Sequence, residues 1–463
     1  MKYFSLIFIG IVIFSACRVG PKYNRPAVQS FPSYTGLDST AKADSIQLIA
    51  WTEVYKDPAL VSLIQLSLSN NLDLLSAVSR VDEARAIYGF SRSALYPSIG
   101  YDINAGVNNL GANAQQTGIG IDNERYYGLA TMNWEIDLFG KLRHQKRSAY
   151  AEFLASDNNA KALRVSLIAE TATLYFILRD LDNRLEIANA TVKSRLESLK
   201  IISERFNKGY VAELDQLQAQ QQLAQVQAAV PNLERQIVNI QNALRVLTGQ
   251  VPGSILRGLN NYNQQFPPEI PAGIPSDLLQ RRPDIIAAEQ YLVSQSEQIG
   301  VAVATRFPSL SLTGFLGYAS PQLSTIVDPA SLAIGVSGGI LGPLFEFGKN
   351  RRRVEVQRER TEQLSYQYQK IVLAAFAEVD NSLTGVRTYK TEYEANLAEL
   401  TAASKAFTLT EARYDNGYSD YLELLIQQDN LFDAQVKESA TKSQQNIAVV
   451  NLFKALGGGW DAR

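Results

Sequence analysis

The sequence predicts an α+β membrane protein in which one architecture occurs twice: two amphipathic β-strands followed by two very long helices. Three observations carry this. Motifs recur in the same order at an almost constant offset, four segments alternate apolar and polar residues with period two, and two long stretches contain no proline.

The repeat comes first, because it organises the rest. Arg205-Phe-Asn-Lys-Gly209-Tyr210 returns as Arg413-Tyr-Asp-Asn-Gly417-Tyr418, an offset of 208. At that offset Leu214, Leu217, Gln220, Leu223, Leu244 and Gly249 meet identical residues at Leu422, Leu425, Gln428, Leu431, Leu452 and Gly457. Phe139-Gly140-Lys141 returns as Phe347-Gly348-Lys349 at 208, and Tyr96-Pro-Ser-Ile99 as Phe307-Pro-Ser-Leu310 at 211. One such match could come from two similar helices; three in order indicate two structural copies.

The strands follow. Ile99, Tyr101, Ile103, Ala105 and Val107 alternate with Ser98, Gly100, Asp102, Asn104 and Gly106. Tyr126, Ala130, Met132, Trp134 and Ile136 alternate with Tyr127, Thr131, Asn133 and Glu135. The second copy gives Leu310, Leu312, Leu316 and Tyr318, then Leu332, Ile334, Val336 and Ile340. Such alternation fits a transmembrane strand with lipid on one side and water on the other, and equally a soluble sheet with one buried face. The polar loops and the aromatics placed toward strand ends (Tyr126, Tyr127, Trp134, Phe315, Tyr318), read as an interface girdle, favour the membrane. Four strands cannot close a barrel, and an open edge in lipid leaves backbone groups unpaired. A transmembrane sheet of this size therefore requires an oligomer, and three chains would supply twelve strands.

The helices are predicted from proline-free runs. From Phe139 to Phe206 there is no Pro and Gly140 is the only Gly, and a second such helix runs from Gly348 to Tyr414. Each spans on the order of 100 Å at 1.5 Å per residue. Leu167, Thr171, Leu174, Leu178, Leu181, Leu185, Ala188 and Val192 step by three and four, a coiled-coil seam. Each long helix ends at a turn where Gly209 or Gly417 permits positive φ, with Tyr210 or Tyr418 next. The returning helices are Gln-rich, and Pro231 is expected to kink or break the first of them. Asp57-Pro58 reads as an N-cap and first turn, and Arg281-Arg-Pro-Asp284 as the start of a helix near Pro283 with its arginines tied to acids.

The N-terminus reads as an address. Lys2 precedes an apolar run from Phe4 to Phe14, too short to span a bilayer and of signal-peptide length. Ser15-Ala16 then precede Cys17, the only cysteine. This resembles a bacterial lipobox with Cys17 as the lipidated first residue, except that Phe14 stands where such boxes carry an aliphatic residue. A plain signal peptide with an incidental cysteine is the alternative. Arg18 in place of Asp argues against retention in the inner membrane. The boundaries expected are a signal peptide at 1–16, a lipidated extended segment at 17–50, a first repeat at 51–249, a Pro-rich linker at 250–275, a second repeat at 276–458 and a tail at 459–463.

Composition excludes several functions. Lys+Arg is 44 against Asp+Glu 46, which gives a net charge of −2 and argues against nucleic acid as a partner. One Cys and one His rule out a Cys/His zinc site and a disulfide framework. No nucleophile–base or metal constellation is present, so neither enzyme activity nor a cofactor is expected. His144 lies in a basic stretch with Lys141, Arg143, Lys146 and Arg147, and reads as a solvated or lumen-facing residue at a membrane junction.

These residues resemble the TolC-like outer membrane factors, in their lipoprotein branch of OprM- and NodT-type efflux channels. The match covers the mature chain. Its most specific parts are Val19-Gly-Pro-Lys-Tyr23, Leu278-Leu-Gln-Arg-Arg-Pro-Asp-Ile285 with Ala288-Glu289, Arg306-Phe-Pro-Ser-Leu-Ser-Leu-Thr-Gly314, Gly342-Pro-Leu-Phe345 and Lys454-Ala-Leu-Gly-Gly-Gly-Trp460. The resemblance implies a homotrimer with a twelve-stranded outer-membrane β-barrel, continued by a periplasmic α-helical barrel with an equatorial domain. It implies a passive conduit for drugs or metal ions, fed by a periplasmic adaptor and an inner-membrane RND-type pump and seated in outer-membrane lipid. The outer component of type I protein secretion and a non-conducting envelope lipoprotein are the alternatives. By resemblance the gate lies at the tip turns. Tyr414 and Asp215 match a hydrogen-bonded pair that holds the family's channel closed. Glu423 matches the first of two lumen-facing acids, and Ile426 stands where the second is expected. The other reading leaves Tyr414 packed in the coiled coil and Glu423 as a solvated helix residue.

Overall fold

The computed structural model describes residues 19–28, 50–107, 124–266 and 275–458; Cys17 and Trp460 lie outside them. In order the elements are α1 (Trp51–Val54), α2 (Pro58–Asn70), α3 (Leu72–Ser93), β1 (Ser98–Val107), β2 (Glu124–Ile136), α4 (Lys141–Asn207), α5 (Glu213–Leu247), α6 (Pro275–Arg281), α7 (Pro283–Ala304), β3 (Ser309–Ser320), β4 (Leu332–Leu341), α8 (Lys349–Asp415) and α9 (Tyr421–Ala455). The repeat is visible in the lengths: α4 and α8 have 67 residues each, α5 and α9 have 35 each. Among the described residues no helix is long and apolar enough to cross a membrane.

The chain divides into two compact units, and α4 and α8 contribute to both. One unit, 1–27, 80–157 and 287–369, holds the strands. They form one antiparallel sheet in the order β1-β2-β3-β4. Its register produces the two faces that the alternation predicts. Ser98, Asn133, Thr313 and Ser337 lie side by side across the four strands, while Tyr101, Ala130, Leu316 and Ile334 form a row of opposite orientation. A slip of one residue would exchange every such row between faces. Phe315 departs from expectation. It sits in mid-strand on the polar face, and a Cβ on Gly335 would fall 2.5 Å from its ring. It covers a glycine rather than joining a girdle at the strand ends.

The other unit, 28–79, 158–286 and 370–463, holds the helical hairpins and the linker. Trp51, Val54, Tyr55, Leu60 and Ile64 pack with Ile168, Tyr175, Phe176 and Leu178 of α4, Leu244 of α5 and Val450 and Phe453 of α9. Asp57 caps α2 through the Ala59 N–H at 3.0 Å, as its place before Pro58 predicts. Its other oxygen accepts from Tyr175 Oη (2.8 Å), Leu259 N (2.9 Å) and Gln264 Nε2 (3.0 Å). One buried carboxylate thus joins α2, α4 and the linker. The linker is further held by Asn261 Nδ2 on the Phe176 carbonyl and by Tyr262 on Glu438. Arg282 donates to Asp284, Glu378 and the Ala455 carbonyl, so the Arg-Pro-Asp motif ties the start of α7 to α8 and α9.

The break expected at Pro231 does not occur, because α5 runs through it. Pro231 and Gln227 are exposed, so the carbonyl that loses its partner can be hydrated.

Candidate functional site

Two regions bear on function: the sheet and the tip turns. The sheet's apolar rows are open to the outside, with Ile99 81%, Tyr101 83% and Ile334 71% exposed. In water such a surface would be a liability; in a bilayer it matches its solvent. β1 and β4 are edge strands with unpaired backbone groups, which a bilayer does not tolerate.

The tip turns repeat closely. Gly209 and Gly417 both have φ of 76°, in the left-handed region that a side chain disfavours. The N–H of Gly209 bonds the Phe206 carbonyl and that of Tyr210 the Arg205 carbonyl. Gly417 and Tyr418 do the same to Tyr414 and Arg413, so both turns are Schellman caps. Tyr210 and Tyr418 point outward, 77% and 76% exposed.

Beside the turns, Ile202, Ala219, Tyr421, Leu424 and Leu425 form a small core against which Leu199, Phe407 and Tyr414 pack. Tyr414 and Asp215 share no hydrogen bond. The Tyr414 hydroxyl is buried without a partner, while Asp215 accepts from the Ala212 N–H at 3.3 Å, capping α5. Residue 212 is alanine and offers no cap of its own, so the carboxylate is drawn to the helix start. Arg205 instead lies over the Tyr414 ring, 5.0 Å from its centroid. Burial raises the Tyr414 pKa against the opposing pull of Arg205. Glu423 is committed as well: it is the third residue of α9, its N–H bonds the Asp420 cap at 2.8 Å, and its carboxylate accepts from Ser419 Oγ at 2.5 Å. Ile426, one turn on, is half exposed.

His144 is neither solvated nor lumen-facing. It is 1% exposed, with Nδ1 2.5 Å from Glu297 Oε2 and Nε2 2.9 Å from the Val19 carbonyl. A Cβ on Gly300 would fall 2.4 Å from the imidazole, so only glycine leaves room for it. Eight residues earlier on α7, Glu289 accepts from Tyr23 Oη (3.2 Å) and from Arg25 Nε (2.7 Å) and Nη2 (2.5 Å). Glu289 directly, and Glu297 through His144, thus hold the segment that follows the cysteine. Glu289 was within reach of the sequence through the Ala-Glu motif. His144 was not, because its acceptor lies 153 residues away and the neighbouring Lys and Arg suggest solvent.

The chain matches the family model "Outer membrane efflux protein" over residues 63–250 and 274–458. It is 33% identical over 467 residues to the solvent efflux pump outer membrane protein SrpC of Pseudomonas putida, covering 99% of each chain. It is 30% identical to the outer membrane protein OprJ of Pseudomonas aeruginosa, covering 99% of this chain and 96% of that one. Among solved structures it resembles the Campylobacter jejuni CmeC outer membrane channel, with a TM-score of 0.88 at 28% identity over 96% of this chain and 95% of that one. It also resembles the open state of the Neisseria gonorrhoeae MtrE outer membrane channel, with 0.86 at 27% over 96% and 99%. The fold is that of the trimeric outer-membrane channels, with four barrel strands per chain. This chain is a member of the outer membrane efflux protein family.

Proposed function

We propose that the chain forms the exit duct of a tripartite pump: a homotrimer in the outer membrane that passively conducts small molecules delivered by a periplasmic adaptor and an inner-membrane RND-type pump. The observation that carries this is the four-stranded sheet with two apolar-faced open edges, which a non-conducting spacer would not need. The names of relatives, a solvent pump in SrpC and an antibiotic pump in ArpC, favour small apolar or amphipathic molecules as substrates. No reaction is catalysed. Cys17 carries the lipid that anchors the mature chain.

The gate is placed at the two tip turns. Three copies of Glu423 around one axis would attract cations, with Ile426 adding an apolar ring one turn away. Arg205 over Tyr414 packs the turns in the closed state, in the role the resemblance gives to a Tyr414–Asp215 bond. The test of the conduit is ion conductance of the purified trimer in planar bilayers; a trimer that inserts and passes no current under any applied voltage would refute it. Incorporation of labelled palmitate into wild type and not into Cys17→Ser tests the anchor.

A further inference from the structure

The polar face of the sheet is not polar throughout. Across β1, β2 and β3 one of its rows is Ser98, Asn133 and Thr313, and the next row toward the loops is Gly100, Thr131 and Phe315. On the other side of the first row Glu135 stands opposite Ser311. At this end of the sheet, where α3 runs into β1, a cleft of about 460 Å³ opens. Phe90 and Tyr96 form its wall, and Asn133, Glu135, Ser311 and Thr313 form its floor. Phe90 is 78% exposed and Tyr96 62%. Phe315, 42% exposed, lies about 7 Å further along β3 on the same face. One exposed ring is ordinary on a protein surface; three around one polar floor call for a partner.

The wall is held in place. The indole N–H of Trp134 donates to the Leu95 carbonyl at 3.0 Å, which ties the α3–β1 connection to the sheet. Ser93 Oγ donates to the Phe90 carbonyl at 2.7 Å, and the Tyr96 N–H to the Ser93 carbonyl at 3.0 Å. A molecule entering the cleft therefore meets a backbone that is already ordered, and little entropy is lost in fixing it. The floor is open. The Asn133 amide and the Thr313 hydroxyl are exposed and have no hydrogen-bond partner among the described residues, so both can bond a solute.

Charge narrows the class of solute. No basic side chain lines the cleft. Among the side chains described on the polar face of the strands, the charged ones are Asp102 and Glu135. Glu135 is shared with Lys141, 2.5 Å away, while Asp102, two rows from Ser98, has only the Tyr127 hydroxyl at 3.4 Å. The field over this face is negative, which attracts cations and repels anions. The faces of exposed rings are negative as well, and a planar cation gains both stacking and cation–π attraction there.

We propose that this cleft is a transit subsite for planar aromatic cations that carry hydrogen-bonding groups: the ring stacks on Phe90 and Tyr96, and its polar substituents bond Asn133 and Thr313. This rests on the channel reading above, in which the polar face lines the bore, and adds a substrate class and the residues that select it. The cleft is walled on one side only, so it binds weakly enough to release what it holds, as conduction requires.

The test is block of the ion current through the full-length protein in planar bilayers. The probes are ethidium, a planar cation with two amino groups, tetrabutylammonium, an aliphatic cation of the same charge, and pyrene sulfonate, a planar anion. Ethidium should block wild type at the lowest concentration of the three. Phe90→Ala should raise its half-blocking concentration about fivefold and leave that of tetrabutylammonium within twofold, and Phe90→Tyr should restore the wild-type value. Asn133→Val tests the floor without touching the wall and should weaken ethidium block several-fold. Ethidium block unchanged in both Phe90→Ala and Asn133→Val, or weakened equally for both cations, overturns the subsite. Pyrene sulfonate blocking as well as ethidium overturns the charge preference. A lower dissociation temperature of the Phe90→Ala trimer with unchanged block makes Phe90 a subunit contact and overturns its role here. A wild-type protein that inserts and carries no current refutes the channel itself, so that failure is distinct from the others.

Discussion

Arg195 sits toward the C-terminal end of α4 and is 3% exposed. Its Nη1 donates to the Gln222 carbonyl and to Gln222 Oε1, each at 2.7 Å, and its Nη2 donates to Asp429. Gln222 Nε2 donates to the second Asp429 oxygen at 2.8 Å. The cluster joins α4 and α5 to α9, and so one hairpin to the other. The two charges are not equally buried, since Asp429 keeps 35% of its side chain in contact with water. The consequence is an ordering. Arg195→Met removes three charge-assisted bonds but leaves a carboxylate that water and Gln222 can still satisfy. We expect it to destabilise by about 2 kcal/mol, below the sum of three such bonds. Asp429→Ala leaves a guanidinium deep in the helices with amide oxygens only and one nitrogen, Nε, already unpartnered. The loss there approaches the roughly 3–5 kcal/mol of a broken buried pair.

The assay is denaturant unfolding of the trimer followed by helical circular dichroism, completed as a double-mutant cycle with Arg195→Met/Asp429→Ala. The double variant should be more stable than Asp429→Ala alone, because it removes the stranded charge. If Arg195→Met proves the more damaging single change, or the double variant the least stable of the three, the reasoning from unequal burial is wrong.

His144→Ala removes both bonds of a buried imidazole and should cost about 1.5–3 kcal/mol; trypsin should then cut faster after Lys22, with His144→Gln in between. Burial holds the Asp180 carboxyl above its ordinary value despite Arg184 and Ser439. Its contribution to stability is therefore full below the ordinary carboxylate value and is lost as pH rises through the raised one. Asp180→Asn should flatten the stability–pH curve in that window, and an unchanged curve would count against the assignment. Tyr414→Phe removes a hydroxyl that has no partner and should leave stability within about 0.5 kcal/mol of wild type or raise it. Glu423→Gln should shift the reversal potential of single channels away from cation preference; an unchanged potential would remove Glu423 from the permeation path.

Much of this was legible in the sequence because it is periodic or local. Alternation gave the two faces of the sheet, since side chains in a strand have only two directions to take. Gly209, Gly417 and the Asp57-Pro58 pair act within a few residues of themselves, so their signals survive without tertiary context. His144 is hidden from the sequence for the opposite reason. A histidine among lysines and arginines looks solvated until an α7 glutamate from the other copy meets it. The bond from Ser419 to the Glu423 carboxylate, four residues on, is equally invisible to periodicity. Pro231 was overestimated, because an isolated missing N–H on a wet helix face disturbs little when the opposite face is packed. Phe315 was assigned by residue type alone, while its partner is the space above a glycine on the next strand.

The polar clusters explain something the apolar seams do not. A seam that steps by three and four looks nearly the same after a shift of one heptad, so over 67 residues α4 could slide along its neighbours with little change in burial. Arg195 with Gln222 and Asp429, Asp180 with Ser439, Thr171 with Ser67 and Tyr175 with Asp57 each exist at one position only. A shifted helix would bury these groups unpaired, a loss that repacked leucines do not offset. The clusters thus select one alignment from several of similar apolar area, the use for which buried polar groups are best attested. In a wall built from long helices that alignment sets where the two tip turns meet. For the gate proposed at the tip turns, that alignment calls for polar pins higher along the helices, and Arg195, about a dozen residues before the first turn, is the nearest of these on α4.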